Sequence, residues 1–259
     1  MKTISILNLK GGVAKTFTAA NMAYEIYRRG YRVLLIDNDK QGNLSKAYSR
    51  YDAESVAPVT RLLAGDWQGA TELIQNTDYV GQQCCIDIVT SNMSLFGATW
   101  NLTKEDSENQ TERYKRFADI MGGFYDYCII DNPPAILMCT INALCAADEV
   151  IIPVRLDNWS IDGVDVITEQ IEALKALNSN LKIAGILLTD YKKSIENEAA
   201  EEWLRKNCKY NVFSRRIRHS DKAVSATYYK QPLETYSPRS AAATDYRKFM
   251  EEYTGTKKA

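Results

Sequence analysis

A doubly wound α/β fold, a mostly parallel sheet with helices on both faces, is predicted by three observations. Residues 31–36 (YRVLLI), 127–130 (YCII) and 149–154 (EVIIPV) are short, near-continuous apolar runs. A parallel strand covered by helices on both sides reads this way, because neither face meets water. Helical patterns separate the runs, as βαβ units require. The chain also opens on a strand, a glycine-bearing loop and a helix in direct succession.

Taken in order, residues 3–8 (TISILN) form the first strand, and Gly11 and Gly12 mark the loop. Residues 16–29 form a helix closed by Gly30, since glycine tolerates the left-handed backbone that ends helices. The strand at 31–36 follows. The middle, residues 48–112, is weaker in pattern: a helix near 59–64, a strand at 85–89, and a polar stretch at 101–111 that reads as an exposed loop or a helix start. After the strands at 127–130 and 149–154 come a helical stretch over 161–177 and a strand at 183–189 (IAGILLT). Tyr246, Phe249, Met250 and Tyr253 lie at i, i+3, i+4 and i+7, the pattern of a helix packed on the core. No repeat, low-complexity tract or linker divides the 259 residues, so a single domain is expected. With a strand starting at residue 3, no N-terminal helix-turn-helix domain is expected.

Composition narrows the function classes. Apolar residues are 45% and charged residues 25%, an ordinary globular balance. No apolar run approaches the ~18 residues of a membrane span, and the N-terminus lacks the design of a secretory signal. Six cysteines, Cys84, Cys85, Cys128, Cys139, Cys145 and Cys208, show no C-x-x-C spacing; they read as reduced thiols of a cytoplasmic protein, Cys139 and Cys145 as buried ones. His219 is the single histidine, which excludes mechanisms that need two imidazoles; it reads as a surface residue without chemistry. Tyr228, Tyr229 and the four tryptophans read as core or interface packing. Charge is asymmetric: residues 1–191 carry 17 basic and 24 acidic side chains, net −7, and residues 192–259 carry 15 and 9, net +6. A basic C-terminal quarter on an acidic body points to an anionic partner or to solvated helix faces.

The strongest local signal is Lys10-Gly11-Gly12-Val13-Ala14-Lys15-Thr16. Glycines let a backbone close around phosphate oxygens where a Cβ would obstruct. The helix that follows offers unpaired N–H groups and its positive dipole end to an anion. Lys15 is placed to reach terminal phosphates and the Thr16 hydroxyl to ligate Mg²⁺. The strict pattern G-x-x-x-x-G-K-[ST] is not met, because Leu9 and Ala14 stand at its glycine positions. Ala14 suits the loop if its backbone is near helical, since only positive φ demands glycine. Asp37 and Asp39 follow the second strand (IDNDKQGN), and Asp131 ends another (IDNPP). Ligands of open α/β sheets bind at these carboxyl ends, where one carboxylate can hold a Mg²⁺-bound water and another can orient an attacking water. Helix capping is the commoner duty of a lone Asp.

These residues resemble the ParA/MinD family of P-loop ATPases with a deviant Walker A motif, nearer to the small ParA/Soj-type partition ATPases than to MinD. The similarity lies in KGGVAKT, DNDKQGNLS, YDYCIIDNPPAI, ADEVIIPVRLDNWSIDG and the C-terminal RRIRHSDKAVSATYYKQPLETYSPRSAAATDYRKF, in the family's order, from Thr3 to about Tyr253. The resemblance implies ATP and Mg²⁺ as cofactors. It makes Lys10 the signature lysine that contacts nucleotide phosphates across a dimer, a cation supplied in trans to the transition-state charge. Lys15 and Thr16 hold phosphates and metal, Asp39 corresponds to the water-orienting aspartate, and Asp131 to the Walker B aspartate. Catalytic candidates are thus Lys10, Lys15 and Asp39. Nucleotide-binding candidates are Lys10, Gly11, Gly12, Val13, Ala14, Lys15, Thr16 and Phe17, with Ser214 and Arg216 at the family's base-contact positions; the metal set is Thr16, Asp37 and Asp131. Ala14 replaces a glycine of the family pattern, Phe17 a threonine or serine, Lys40 a proline, and Ser214 and Arg216 a proline and an asparagine. ATP is favoured over GTP, because no N-K-x-D guanine reader is found.

The resemblance further implies a homodimer on ATP binding, nonspecific DNA binding by that dimer, and release through hydrolysis stimulated by a ParB-type centromere-binding protein, which places the chain at the nucleoid. Arg215, Arg216, Arg218 and Lys222 are the candidates for DNA phosphates, with Lys192, Lys193, Lys230, Arg239 and Arg247 able to extend them. Such contacts are sequence-independent and salt-sensitive. Glu251 and Glu252 interrupt the basic side of the C-terminal helix, unlike a membrane-surface anchor, so no membrane partner is expected. Two alternatives stay open: an ATP-dependent small-molecule enzyme of the dethiobiotin synthetase or cobyrinic acid amidation type, and an ATPase positioning a protein cargo without DNA.

Overall fold

The structure, a computed structural model, describes residues 1–79, 82–105, 109–157 and 160–255. Asn158, Trp159, Lys257 and Lys258 therefore lie outside the described residues, as does the side chain of Cys84. β1 (Lys2–Ile6) leads through the glycine loop into α1 (Lys15–Tyr27), and β2 (Val33–Asp37) leads into α2 (Asn43–Ala47). The middle of the chain carries α3 (Pro58–Ala64), a 3-10 turn at Ala70–Leu73, an antiparallel pair β3 (Gln75–Tyr79) and β4 (Gln82–Val89), then α4 (Ser94–Lys104) and α5 (Arg113–Met121). β5 (Tyr127–Asp131), α6 (Met138–Ala146), β6 (Glu149–Val154), α7 (Ser160–Leu174) and β7 (Lys182–Leu188) continue the alternation. α8 (Ile195–Asn207), α9 (Asp221–Tyr228), α10 (Leu233–Tyr236) and α11 (Ala241–Thr254) follow.

The strands form one sheet in the order β3-β4-β2-β5-β1-β6-β7, parallel except for β3. In β2 the apolar run divides by pleat: Val33 and Leu35 enter one core, Leu34 and Ile36 the other. The first core is closed by α1 and by Tyr246, Phe249 and Met250 of α11; the second by α3, α4, α5 and α6. A strand buried on both faces can be apolar at every position, which is why these runs were legible. The polar stretch at 101–111 begins as the last turn of α4. β3 (QNTDY) has no apolar signature because it is an edge strand held by its ladder to β4.

β1, β2 and β5 are neighbours, and their register sets Ile6 and Asp37 on either side of Asp131. The loop after β1 and the two acidic segments consequently share one end of the sheet. At the far edge, residues 211–219 run along β7: Ile186 N donates to Asn211 O at 2.8 Å, Phe213 N to Ile186 O at 3.0 Å, and Ile217 N to Leu188 O at 2.8 Å. Phe213 and Ile217 turn into the core, while between them Ser214 and Arg216 are exposed and Arg215 is half-buried.

Candidate functional site

The loop is held from behind. Asn8 accepts at Oδ1 from the Lys10 N–H at 2.9 Å and donates from Nδ2 to Pro153 O at 2.7 Å. The Thr189 hydroxyl donates to Val13 O at 3.0 Å. Gly12 has φ +72°, and a Cβ built on Gly11 or Gly12 meets no heavy atom within 4 Å, so the glycines bound open space rather than protein. Ala14 differs from expectation: its backbone is left-handed, φ 61° and ψ 32°, not near helical. An L-residue there costs roughly 1 kcal/mol, a strain the sequence alone did not reveal. Phe17 packs edge-on against Tyr246, ring centroids 5.9 Å apart, which anchors the first turn of α1 in the core.

Two lysines flank the loop. Lys15 is buried, donates from Nζ to Lys10 O at 2.8 Å, and burial pushes its pKa down against the opposing pull of Asp131 and Asp39. Lys10 Nζ pairs with Asp157, which stands beyond β6. A cleft of about 480 Å³ opens from the loop along α1, with Phe17, Asn21, Lys46 and Gln231 among its walls.

The three carboxylates are brought together but do different work. Asp37 is fully buried; its Oδ2 accepts from the Ser45 N–H and hydroxyl, both at 2.7 Å, and its Oδ1 from the Asp39 N–H at 3.2 Å. It therefore ties α2 to β2, the capping duty a lone Asp most often has. Desolvation lifts its pKa to about 6, against the Ser45 hydrogen bonds. Asp131 is equally buried, yet neither carboxylate oxygen has a hydrogen bond of normal geometry. Burial and then the charge of Asp37 push its pKa well up, while the nearby Thr16 hydroxyl and Lys15 oppose. Asp39 is half-buried and accepts from Gln41 N at 3.0 Å. Among the described residues no three acidic, Cys or His side chains form a complete metal cage. The members of the expected set of Thr16, Asp37 and Asp131 thus differ: Asp131 beside Thr16 has no hydrogen bond of normal geometry, whereas Asp37 already accepts three.

A buried network behind the site escaped the sequence reading. Tyr114 donates to Asn38 Oδ1 at 2.7 Å, Asn38 Nδ2 to Asn132 Oδ1 at 2.8 Å, and Asn132 Nδ2 to Ser5 Oγ at 2.7 Å. It locks the ends of β1, β2 and β5 to one another. Its one sequence signal was an Asn following each strand-end Asp, inside otherwise apolar register.

Comparison with known proteins decides the family. The sequence profile of a family described as "AAA domain" matches residues 1–183. The sporulation initiation inhibitor protein Soj of Bacillus subtilis is 32% identical over 254 residues, 97% of each chain. A solved structure of Mycobacterium smegmatis described as cobyrinic acid a,c-diamide synthase is 26% identical, with a TM-score of 0.82 over 97% of this chain and 93% of its own. McdA of Cyanothece shares the fold, with a TM-score of 0.86 over 100% and 98% of the two chains at 21% identity.

This chain belongs to the ParA/MinD family of P-loop ATPases. The family's doubly wound fold and its loop between the first strand and helix are both present. The positions that depart from the family pattern have local explanations. Ser214 donates its hydroxyl to Glu252 at 2.8 Å, and Arg216 pairs with Glu201 and lies 4.5 Å over the Tyr191 ring. Neither lines the cleft that opens from the loop. Lys40 sits over the Phe96 ring at 4.7 Å.

The basic residues of the C-terminal quarter also divide. Arg218 grips Asp245, 2.7 Å from Nε and 2.9 Å from Nη2, and that carboxylate is almost wholly buried. Arg247 is committed to Glu234 and to Pro238 O. Among the described residues Arg215 and Lys222 make no ion pair; Lys222 is exposed and Arg215 half-buried. His219 bridges Asp190 at 2.6 Å and Asp221 at 3.3 Å. Tyr228 and Tyr229 are on the surface rather than in the core, Tyr229 stacked on Tyr236. Cys139 and Cys145 are buried free thiols, as expected. No helix among the described residues is long and apolar enough to cross a membrane.

Proposed function

We propose that this chain is an ATP- and Mg²⁺-dependent dimerising switch of DNA segregation. The observation that carries the nucleotide part is Asp131: a buried carboxylate with two unpartnered oxygens, beside Thr16 and Lys15 at the floor of a glycine loop. Orphaned buried oxygens cost free energy unless something fills them, and Mg²⁺ takes one or two protein oxygens with phosphate and water. The residues present fit both groups: Gly11 and Gly12 leave room for phosphate oxygens, Lys15 supplies a buried cation, and Thr16 and Asp131 would hold the metal. Bound magnesium would neutralise phosphate charge. The M. smegmatis structure is described with bound ADP and magnesium, and the McdA structure as an ATP complex, which supports the reading.

In this reading Lys15 orients the phosphates and Asp39 the attacking water, and Lys10 leaves Asp157 to reach the nucleotide of a second copy. The closed dimer presents Arg215, Arg216, Lys222 and their neighbours to DNA phosphates, and a ParB-type partner triggers hydrolysis and release at the nucleoid. Similarity to Soj over nearly the whole chain supports it. Retention on DNA is measured with ATP, with ADP and without nucleotide; equal binding in all three states refutes the switch. Asp39→Ala is expected to keep ATP binding and dimerisation but to slow hydrolysis, and turnover at the parental rate removes Asp39 from its role.

A second reading, activation of a small-molecule carboxylate by ATP, is favoured by the description of the M. smegmatis structure alone. ATP turnover triggered by a carboxylic acid and indifferent to DNA would establish it.

A further inference from the structure

A second cleft, of about 210 Å³, lies between α4 and the segment after β5. Its walls are apolar: Leu95, Phe96 and Trp100 from α4, Pro133 and Leu137 from the far side. Phe96, Trp100 and Leu137 are 56%, 57% and 44% exposed. α4 already buries Leu95, Thr99 and Leu102 against the core, so Phe96 and Trp100 form a second, exposed apolar stripe. Single exposed apolar residues are ordinary, whereas several around one concavity mark an interaction surface.

The charges around the cleft say what kind of partner fits. Lys40 Nζ lies 4.7 Å over the Phe96 ring and Lys104 Nζ 4.8 Å over the Trp100 ring. Among the described residues neither ammonium has a carboxylate partner, whereas Lys10, Arg113 and Arg155 do. Two aromatic platforms, each capped by an unpaired cation, complement a segment that carries bulky apolar and acidic side chains together.

We propose that this cleft docks an amphipathic, acidic segment of a partner protein. The segment seats apolar side chains between Trp100 and Leu137 and sets carboxylates against Lys40 and Lys104. Its position gives it a lever on turnover: Lys40 adjoins Asp39, and Pro133 lies two residues beyond Asp131. That consequence rests on the ATPase reading above, whereas docking itself does not.

The test selects a phage-displayed library of random peptides on the full chain, then measures individual synthetic peptides by calorimetry with and without ATP and magnesium. Recovered sequences should combine apolar residues at helical spacing with Asp or Glu. Trp100→Ala should weaken them about 30-fold, as loss of an aromatic anchor does, and Lys40→Glu about 10-fold, while Trp203→Ala on α8 changes nothing. Phe96→Ser provides a second variant on the same exposed stripe. Peptides that are basic, or that bind equally to Trp100→Ala and Phe96→Ser, overturn the proposal. So does loss of ATP-dependent self-association in Trp100→Ala by sedimentation, which would give the cleft to a second copy of the chain. Peptide binding that persists without nucleotide effect keeps the docking site while removing the lever, so the two readings fail separately.

Discussion

Replacing Asp131 by Asn should stabilise the nucleotide-free, metal-free protein while destroying its magnesium-dependent activity. The carboxylate makes no hydrogen bond of normal geometry, so its removal forfeits little. Asp131 and Asp37 are directly paired on adjacent parallel strands. At the ~4.8 Å spacing of strands and an effective dielectric near 20, two such charges repel by about 3 kcal/mol. The fold evades part of this by protonation, since both pKa values are raised and burial is the larger cause in each. What Asp131→Asn recovers is then part of that repulsion of about 3 kcal/mol together with the cost of burying a charge, so the thermal midpoint rises. The sign with pH follows from the raised pKa: the folded state keeps a proton that the unfolded chain releases above pH ~4, so the parent loses stability as pH rises and the gap to Asp131→Asn widens. Thermal unfolding at several pH values, without nucleotide or metal, measures both. A variant less stable than the parent under those conditions would mean the carboxylate is satisfied, and the argument for a cation site would lose its footing.

Other perturbations follow from the same geometry. Ala14→Gly should remove left-handed strain and raise stability by about 0.5–1 kcal/mol, read by urea denaturation; a loss of stability would show that the loop backbone is relaxed with alanine. Gly42→Ala should destabilise by about 3 kcal/mol, because φ is +63° and a Cβ would stand 2.5 Å from Tyr51 and 2.7 Å from the Ser91 carbonyl oxygen. With it should go the Ser45 contacts to Asp37, visible as faster amide exchange in α2. Arg218→Ala strands the buried Asp245 and should cost about 1 kcal/mol after allowance for solvent screening, whereas Arg215→Ala should leave the midpoint unchanged. DNA retention compared between the two separates a structural arginine from a phosphate contact; equal stability of the variants would refute that division.

The sequence by itself determined the architecture and the family, and it marked out the glycine loop between β1 and α1. Runs such as YRVLLI have few stable environments besides a strand covered on both faces, and a lysine-threonine pair after two glycines at a strand-to-helix turn needs little context to be read. The edge strand β3 stayed hidden because its partner, not its composition, holds it in place. Only tertiary structure decided how similar residues divide their work. Asp37 and Asp131 look alike as strand-end aspartates, but Ser45 makes two short hydrogen bonds to one, and the other has none of normal geometry. Arg215 and Arg218 look alike in a basic run, but Asp245 lies under only the second. Ala14 carries a positive φ that its residue type gave no reason to expect. Local sequence sets strand, loop and helix through short-range sterics and burial pattern. Which polar atom is left without a partner depends on side chains brought in from tens or hundreds of residues away, and in this chain that separates Asp131 from Asp37.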